Sequence, residues 1–304
     1  MKADPRVAVI IPNYGDHIKD TLKSVRSVLE ADYQNKSIIV VDDGSEKVIQ
    51  SALHNEINSH FPLVKVVLVP ENKGFASACN KGADIAVKDK SDLLFFLNND
   101  AVVKVDAINH MVREFENDRV AIVGPKIYLG KTNIINSAGG FLRKSCLFKK
   151  SKRAGVEDEG QFDQKEIVDY ISGCAFMVRT DTFKELNGFD EVYYMYAEEI
   201  DFCLKCTRSG YLIVYQPQAV VWHEHAKTMK SDSLKSLYYL TRNRVYLTKK
   251  YLNFFNFIRS LIILKYKNIK TILLKCVKRI LVFNLAIIDG IFNKMGKRNK
   301  KLFD

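Results

Sequence analysis

Several familiar signatures are missing from this chain. Neither G-x-G-x-x-G nor G-x-x-x-x-G-K-[ST] occurs in its 304 residues, so it has no dinucleotide fingerprint and no Walker phosphate loop. After residue 249 no run approaches the roughly 18 consecutive apolar residues of a spanning helix. The longest uncharged run there is Ile280–Ile288. The six cysteines have no framework spacing, and Met1-Lys2-Ala3-Asp4-Pro5 does not resemble a signal peptide. Both absences point to the reducing cytoplasm. Cys203-x-x-Cys206 is the one close pair. With no second pair and a shared helix face, it reads as packing.

Hydrophobic residues make up 47% of the chain, enough to fill one large α/β domain or two small ones. The net charge of +12 belongs to the C-terminal end. From Lys249 to Asp304 there are 14 Lys/Arg and 2 Asp/Glu, whereas residues 1–248 carry 33 of each sign. A neutral body with a basic, apolar tail is drawn to an anionic surface through that tail. Basic–aromatic interleaving is missing outside the tail, which argues against a nucleic-acid partner.

Apolar runs at Val7–Pro12, Ser37–Val41, Leu63–Val69, Leu93–Leu97, Val120–Val123 and Cys174–Arg179 read as strands, those at Val7 and Leu93 as buried ones. Helical patterns lie between them at 16–30, 46–59, after Gly74 and at 105–117. The first turns Ile18, Leu22, Val25 and Leu29 to one side. This alternation predicts right-handed βαβ units and a mostly parallel sheet flanked by helices. After Pro125 the rhythm breaks, and 126–171 reads as a hairpin and loop. Leu212–Tyr215 and Ala219–Trp222 read as two short strands around Pro217, and the chain is helical from about Ser233.

Polar clusters follow these strands: Pro12-Asn13-Tyr14, Asp42-Asp43, Asn72-Lys73-Gly74 and Asn98-Asn99-Asp100. Glu198-Glu199 opens a helix. One such cluster is ordinary, because Asn and Asp favour turns and acids favour helix starts. Four of them after parallel strands converge on one sheet edge, where open α/β sheets bind ligands. Without a phosphate loop, a divalent cation on Asp100 would neutralise a bound nucleotide's phosphates.

The ordered set VAVIIPNY (7–14), VVDDGS (40–45), ENKGFASACNKG (71–82), FFLNNDAVV (95–103), VDYISGCAFMVRTDTF (168–183), NGFDEVYYMYAEEIDFCLK (187–205), VVWHEH (220–225) and YYLTRNR (238–244) covers roughly residues 5–248. It resembles the family 2 glycosyltransferases of the GT-A fold, especially a bacterial rhamnosyltransferase-like branch. The resemblance implies transfer of a sugar, with inversion, from a nucleoside-diphosphate donor such as dTDP-rhamnose or a UDP-sugar. Asp43, with Asp42 beside it, would accept a hydrogen bond from the base, and Pro12 and Tyr14 would line its pocket. Asn72, Lys73 and Gly74 would approach the nucleoside, with Asn99 nearby. Asp100 stands at the family's D-x-D metal position, with Asn98 and Asn99 in place of a second carboxylate. His223 matches a position that also reaches the metal, Mn²⁺ or Mg²⁺. Glu198-Glu199-Ile200-Asp201 stands for the family's E-D-x-D, making Glu199, or else Glu198, the base. Asp190 would contact sugar or cap its turn, and Trp222 would stack on a sugar or pack. His225 is left open.

On this reading 1–125 is the nucleotide-binding half and 126–248 the acceptor and catalytic half of one GT-A domain. Residues 249–304 form a basic helical tail. In the tail Ile269, Leu273, Cys276, Ile280, Phe283, Ile287 and Ile291 recur at helical spacing, with Lys267, Lys275 and Lys278 elsewhere around the helix. Such a helix lies in an anionic bilayer interface, packs on the body or dimerises. The first use suits an enzyme on the inner face of the cell membrane with a lipid-linked glycan acceptor. A sugar nucleotidyltransferase is the alternative, but the glycine- and arginine-rich opening loop it needs does not follow Val7–Ile11.

Overall fold

The computed structural model describes residues 4–148, 153–224, 233–273, 277–299 and 302–303. The first half alternates strands and helices: β1 (Val7–Asn13), α1 (Ile18–Leu29), β2 (Lys36–Asp43), α2 (Lys47–His60), β3 (Lys65–Val69), α3 (Phe75–Lys88) and β4 (Leu93–Leu97). There follow β5 (Ala101–Val103), α4 (Ala107–Arg113), β6 (Val120–Leu129), β7 (Ile134–Ser137), β8 (Val156–Glu157), β9 (Glu166–Ile167) and β10 (Ala175–Arg179). The chain continues with α5 (Thr180–Glu185), α6 (Glu198–Arg208), β11 (Leu212–His223), α7 (Leu234–Tyr251), α8 (Phe254–Leu273) and α9 (Val277–Ile291).

One sheet runs β3-β2-β1-β4-β10-β6-β11-β5, with β7, β8 and β9 attached at its side. Strands β3, β2, β1 and β4 are mutually parallel, as are β6 and β11. Strand β10 runs antiparallel between the two groups. Strands β1 and β4 are buried along their whole length, hence their unbroken apolar runs. Their side chains alternate between two cores. Val7, Val9 and Ile11 join α1, α2 and α4 on one face; Ala8 and Ile10 join α3 and a phenylalanine cluster on the other. Helix α3 is rich in small residues because it lies close to the sheet. A Cβ on Gly82 would fall 2.4 Å from Ile10 Cγ2.

Three local readings differ from the sequence pattern. Helix α1 packs Ile18, Leu22 and Val25 on the core as expected, but it also buries Thr21, Ser24, Ser27 and Val28 and leaves Leu29 41% exposed. Its hydroxyls are stitched to strand ends: Ser24 Oγ donates to Asn98 O, and Val103 N donates to Ser27 Oγ. Strand β11 is continuous through Pro217, because a shift of register between Gln216 and Val220 takes up the missing N–H. The hairpin expected after Pro125 is built on a longer β6, which runs to Leu129 before β7 returns.

The C-terminal helices pack on the body. From α9, Phe283 and Ile287 join Val245 of α7, and Val282 and Ala286 join Tyr238 and Tyr239. For these residues the packing alternative holds. Cys276, Lys275 and His225 lie outside the described residues, as do the side chains of Lys267, Ile269 and Leu273.

Helix α7 also holds the turn that launches α6. Tyr194, Tyr196 and Ala197 adopt left-handed φ values of 66°, 69° and 72°. Each costs a residue with a Cβ roughly 1–2 kcal/mol. The fully buried Asn243 offsets this. Its amide donates to the carbonyls of Tyr193 (3.1 Å), Met195 (2.7 Å) and Tyr196 (2.7 Å). Arg242, also fully buried, donates to Tyr193 O at 2.9 Å and to Asn243 Oδ1 at 2.9 Å. Asn243→Ala leaves the Met195 and Tyr196 carbonyls without this donor, while Tyr193 O keeps Arg242, and urea denaturation is expected to show a loss of about 2–3 kcal/mol or more. A change below about 0.5 kcal/mol would contradict the clamp.

Candidate active site

The register of β5 builds the centre of the site. Strand β4 ends at Leu97, the chain turns through Asn98–Asp100, and Ala101 pairs antiparallel with His223 of β11. The backbone N–H of Glu224 donates to Asp100 O. His223 Nε2 then lies 3.0 Å from Asp100 Oδ1, while Nδ1 lies 3.2 Å from Asn136 Oδ1 on β7. Asn136 thus fixes the ring with Nε2 toward the carboxylate. Burial works against the charge of the imidazole, but the Cys174 sulfur and the Asp100 carboxylate beside it push it up to about 11.

Asp100 can hold a divalent cation, and His223 can join it once the incoming positive charge has displaced the imidazole's proton. One carboxylate and one imidazole, side by side on a cleft wall, leave most of an octahedral shell to water and substrate phosphate. Among the described residues no group of three His, Cys, Asp or Glu is placed to hold a metal by itself. The donor set fits a cation that arrives with its diphosphate.

Asp43, at the end of β2, is 4% exposed. Its Oδ1 accepts from Lys73 N at 3.0 Å and its Oδ2 from Gly74 N at 2.7 Å, so it ties the loop after β3 to the sheet edge. Gly74 is required there: its φ is +99°, and a Cβ would fall 2.1 Å from Tyr194 O. Burial pushes the Asp43 carboxyl up to about 6 against the pull of the Lys73 and Gly74 amides. Tyr194 Oη donates to Asn72 Oδ1 at 2.7 Å, joining this loop to the left-handed turn before α6.

That turn delivers two acids. Glu198 is 4% exposed, and its Oε2 has no hydrogen-bond partner among the described residues. Burial, and then neighbouring Glu199, push its carboxyl well above the usual range. Glu199 is half-buried and packs beside Gly173. Two residues on, Asp201 is fully buried and accepts from Tyr193 Oη at 3.0 Å, with Lys250 Nζ at 2.8 Å, which fixes the first turn of α6.

One cleft of about 490 Å³, within the range of small-molecule sites, gathers these groups. Pro12, Tyr14, Asp43, Asn72 and Gly74 line it, and so do Asn99, Asp100, His223, Glu198 and Glu199. Four sequence candidates do not. Asp42 points away and accepts from Asn13, Ser45 and Gln50. Lys73 contributes its backbone N–H to Asp43. Asp190 caps a short turn and pairs with Lys250 at 3.0 Å. Trp222 sits in the sheet opposite Val102. The lining also includes His17, Ser172, Cys174, Tyr194 and Leu240, which sequence reasoning missed. His17 follows directly on the turn after β1, which was the one available signal.

A model of the family described as Glycosyl transferase family 2 matches residues 8–186. The chain is 24% identical over 235 residues to the pre-mycofactocin glycosyltransferase of Mycobacterium tuberculosis, covering 77% of this chain and 46% of that protein. It is 24% identical over 254 residues to the rhamnosyltransferase WbbL of Escherichia coli, covering 79% and 94%. It is 29% identical over 220 residues to a poly-beta-1,6-N-acetyl-D-glucosamine synthase of Staphylococcus aureus, covering 69% and 47%. The chain therefore spans about half the length of the mycobacterial and staphylococcal relatives. Among solved structures, GalNAc-T7 with UDP, GalNAc and Mn²⁺ superposes with a TM-score of 0.64 at 20% identity, covering 82% of this chain and 48% of that one. The mannosyltransferase PcManGT of Pyrobaculum calidifontis with GDP-Man and Mn²⁺ superposes with a TM-score of 0.59 at 16% identity, covering 96% and 75%. These neighbours share the GT-A fold. With the family's model matching more than half of its length, and with strand ends that build this cleft, the chain belongs to glycosyl transferase family 2.

Proposed function

We propose that the protein is an inverting glycosyltransferase that moves a sugar from a nucleoside-diphosphate donor to a hydroxyl of a growing glycan. One observation carries the reading. A single cleft holds a base-side carboxylate (Asp43), a carboxylate–imidazole pair (Asp100 and His223) and two glutamates in unlike surroundings (Glu198 and Glu199). We take the donor to be dTDP-rhamnose or a UDP-sugar: a relative named as a rhamnosyltransferase is matched over 94% of its length, and one solved neighbour holds UDP.

Asp43 receives the N–H of the base while its other lone pairs hold the Lys73–Gly74 loop. Asn72, fixed by Tyr194, approaches the nucleoside. Asp100, with His223 once its ring is neutral, would hold Mn²⁺ or Mg²⁺, which would neutralise the diphosphate leaving group. Glu199 takes the proton of the acceptor hydroxyl as that oxygen bonds to the anomeric carbon and the bond from that carbon to the diphosphate oxygen breaks. Burial, and then neighbouring Glu199, raise the Glu198 carboxyl well above its usual range, which disfavours it as the group that takes that proton, and we assign the base to the half-buried Glu199.

The acceptor in this reading is a glycan on a lipid carrier at the inner face of the cell membrane. The basic chain after Lys249 keeps the enzyme at that anionic surface. Among the described residues no helix is long and apolar enough to cross the membrane.

Two outcomes test the reading. Glu199→Gln is expected to lower transfer by about 10²–10⁴-fold while donor affinity stays within a few-fold. Turnover near wild type would contradict the assignment. Donor affinity should be full above pH 6 and fall as pH drops through about 6, because only the charged Asp43 accepts the base N–H. Asp43→Asn should remove that step, and a titration of donor binding against pH shows whether it does.

A further inference from the structure

The helix that opens the tail, α8, is apolar on two opposite faces, and only one of them is covered. Phe257, Leu261 and Leu264 pack against Val245 of α7 and against Phe283 and Ile287 of α9. On the other side Phe254, Ile258, Ile262 and Tyr266 recur every four residues, with Phe255 beside them. Their exposures are 71%, 39%, 63%, 76% and 83%. The row is about 18 Å long at helical rise. On α9, the partner of α8 in that packed cluster, Val277, Leu281 and Ile288 are also turned outward, as is Phe292 just past its end, at 47% exposure or more. An apolar row of this length belongs in an apolar environment, and this one has no cover among the described residues.

The charges around the row have one sign. Arg259 and Lys265 are exposed on α8, and Lys278 and Arg279 stand at the start of α9. The one acid from residue 249 to residue 303 is Asp289. It is fully buried and engaged by Tyr238 Oη at 2.6 Å and Arg298 at 2.9 Å, so among the described residues from 249 on no carboxylate stands beside the row. A second copy of the chain would bring the same positive face against itself, which an isologous contact would have to overcome. An anionic bilayer offers what the face lacks: acyl chains for the aromatic row and headgroup phosphates for Arg259 and Lys265.

We infer that α8 is an in-plane membrane anchor, with the row from Phe254 to Tyr266 sunk into the headgroup boundary of an anionic phospholipid bilayer and Arg259 and Lys265 on its phosphates. This row is distinct from the Phe283–Ile287 stripe, which is spent on α7. The inference rests on the proposed reaction for the use of such an anchor, namely reaching a lipid-borne acceptor. The face itself stands on exposure and charge.

The test is flotation of the full chain with phosphatidylcholine vesicles, alone or with about 30% phosphatidylglycerol. Wild type should float with the anionic vesicles and lose binding as salt is raised. The double variant Phe255→Ser, Ile262→Ser should bind those vesicles about 10–100-fold more weakly. Arg259→Gln with Lys265→Gln should weaken binding and flatten the salt dependence. Both pairs are exposed, so thermal unfolding should match wild type. Equal flotation of the apolar variant would overturn the anchor. So would a wild-type dimer that does not float and that the apolar variant makes monomeric. Hydrolysis of a nucleoside-diphosphate sugar, measured on the same samples, separates the two ideas. Flotation lost in the variant supports the anchor even where wild type turns over no donor, a result that would sink only the proposed reaction. Turnover intact in all variants with flotation unchanged would sink only the anchor.

Discussion

The pairing of Ala101 with His223 is the contact on which the cleft depends. It ends the turn that carries Asp100 out of the central sheet, and it brings a histidine from the far end of the chain to that carboxylate. Side chains on a strand alternate faces, so a slip of one residue in this short antiparallel contact would turn His223 away from Asp100. Asn136, on the hairpin strand β7, holds the ring from behind. Three elements distant in sequence thus converge on one imidazole, and the irregular stretch after Pro125 earns its place in the fold through that contact.

The other wall of the cleft is held in a different way. Parallel strand ends supply the nucleotide side, where Asp43 gathers the Lys73 and Gly74 amides. The acids arrive on a left-handed turn that its own sequence does not favour. Asn243 and Arg242 hold that turn from α7, and Tyr194 ties it to Asn72 across the cleft. The C-terminal helices are therefore part of the site's construction as well as the bearers of its charge. Helix α9 packs on α7, while α8 keeps one apolar face outward.

Much of this was legible in the residues. Buried parallel strands are continuous apolar runs, so β1, β2, β4 and the polar clusters after them are legible directly, while the GT-A order rests on the resemblance of the ordered motifs to a known family. What could not be read depended on contacts between distant segments. Asp42 and Asp43 are neighbours of one type; only the alternation of β2 decides that one binds Ser45 and Gln50 while the other meets the cleft. Helix α1 was read by its aliphatic residues, but its sheet-facing side uses hydroxyls that bond strand ends. Trp222 could stack on a sugar or pack, and it lies in the sheet opposite Val102. In the tail the counted stripe included residues that pack on α7, and the exposed row on α8 ran in a different phase. The left-handed residues before Glu198 carry no glycine to announce them.

The central claim is that the strand-end cleft binds a nucleoside-diphosphate sugar through a cation held by Asp100. Thermal unfolding of wild type and Asp100→Asn, with UDP-, dTDP- and GDP-sugars in the presence and absence of Mn²⁺, tests it most directly. The account predicts that one donor stabilises wild type only with Mn²⁺, by about 2–3 kcal/mol at a hundredfold excess over its dissociation constant, and that Asp100→Asn abolishes the gain. Equal stabilisation of both proteins, or stabilisation of wild type that ignores Mn²⁺, would contradict it.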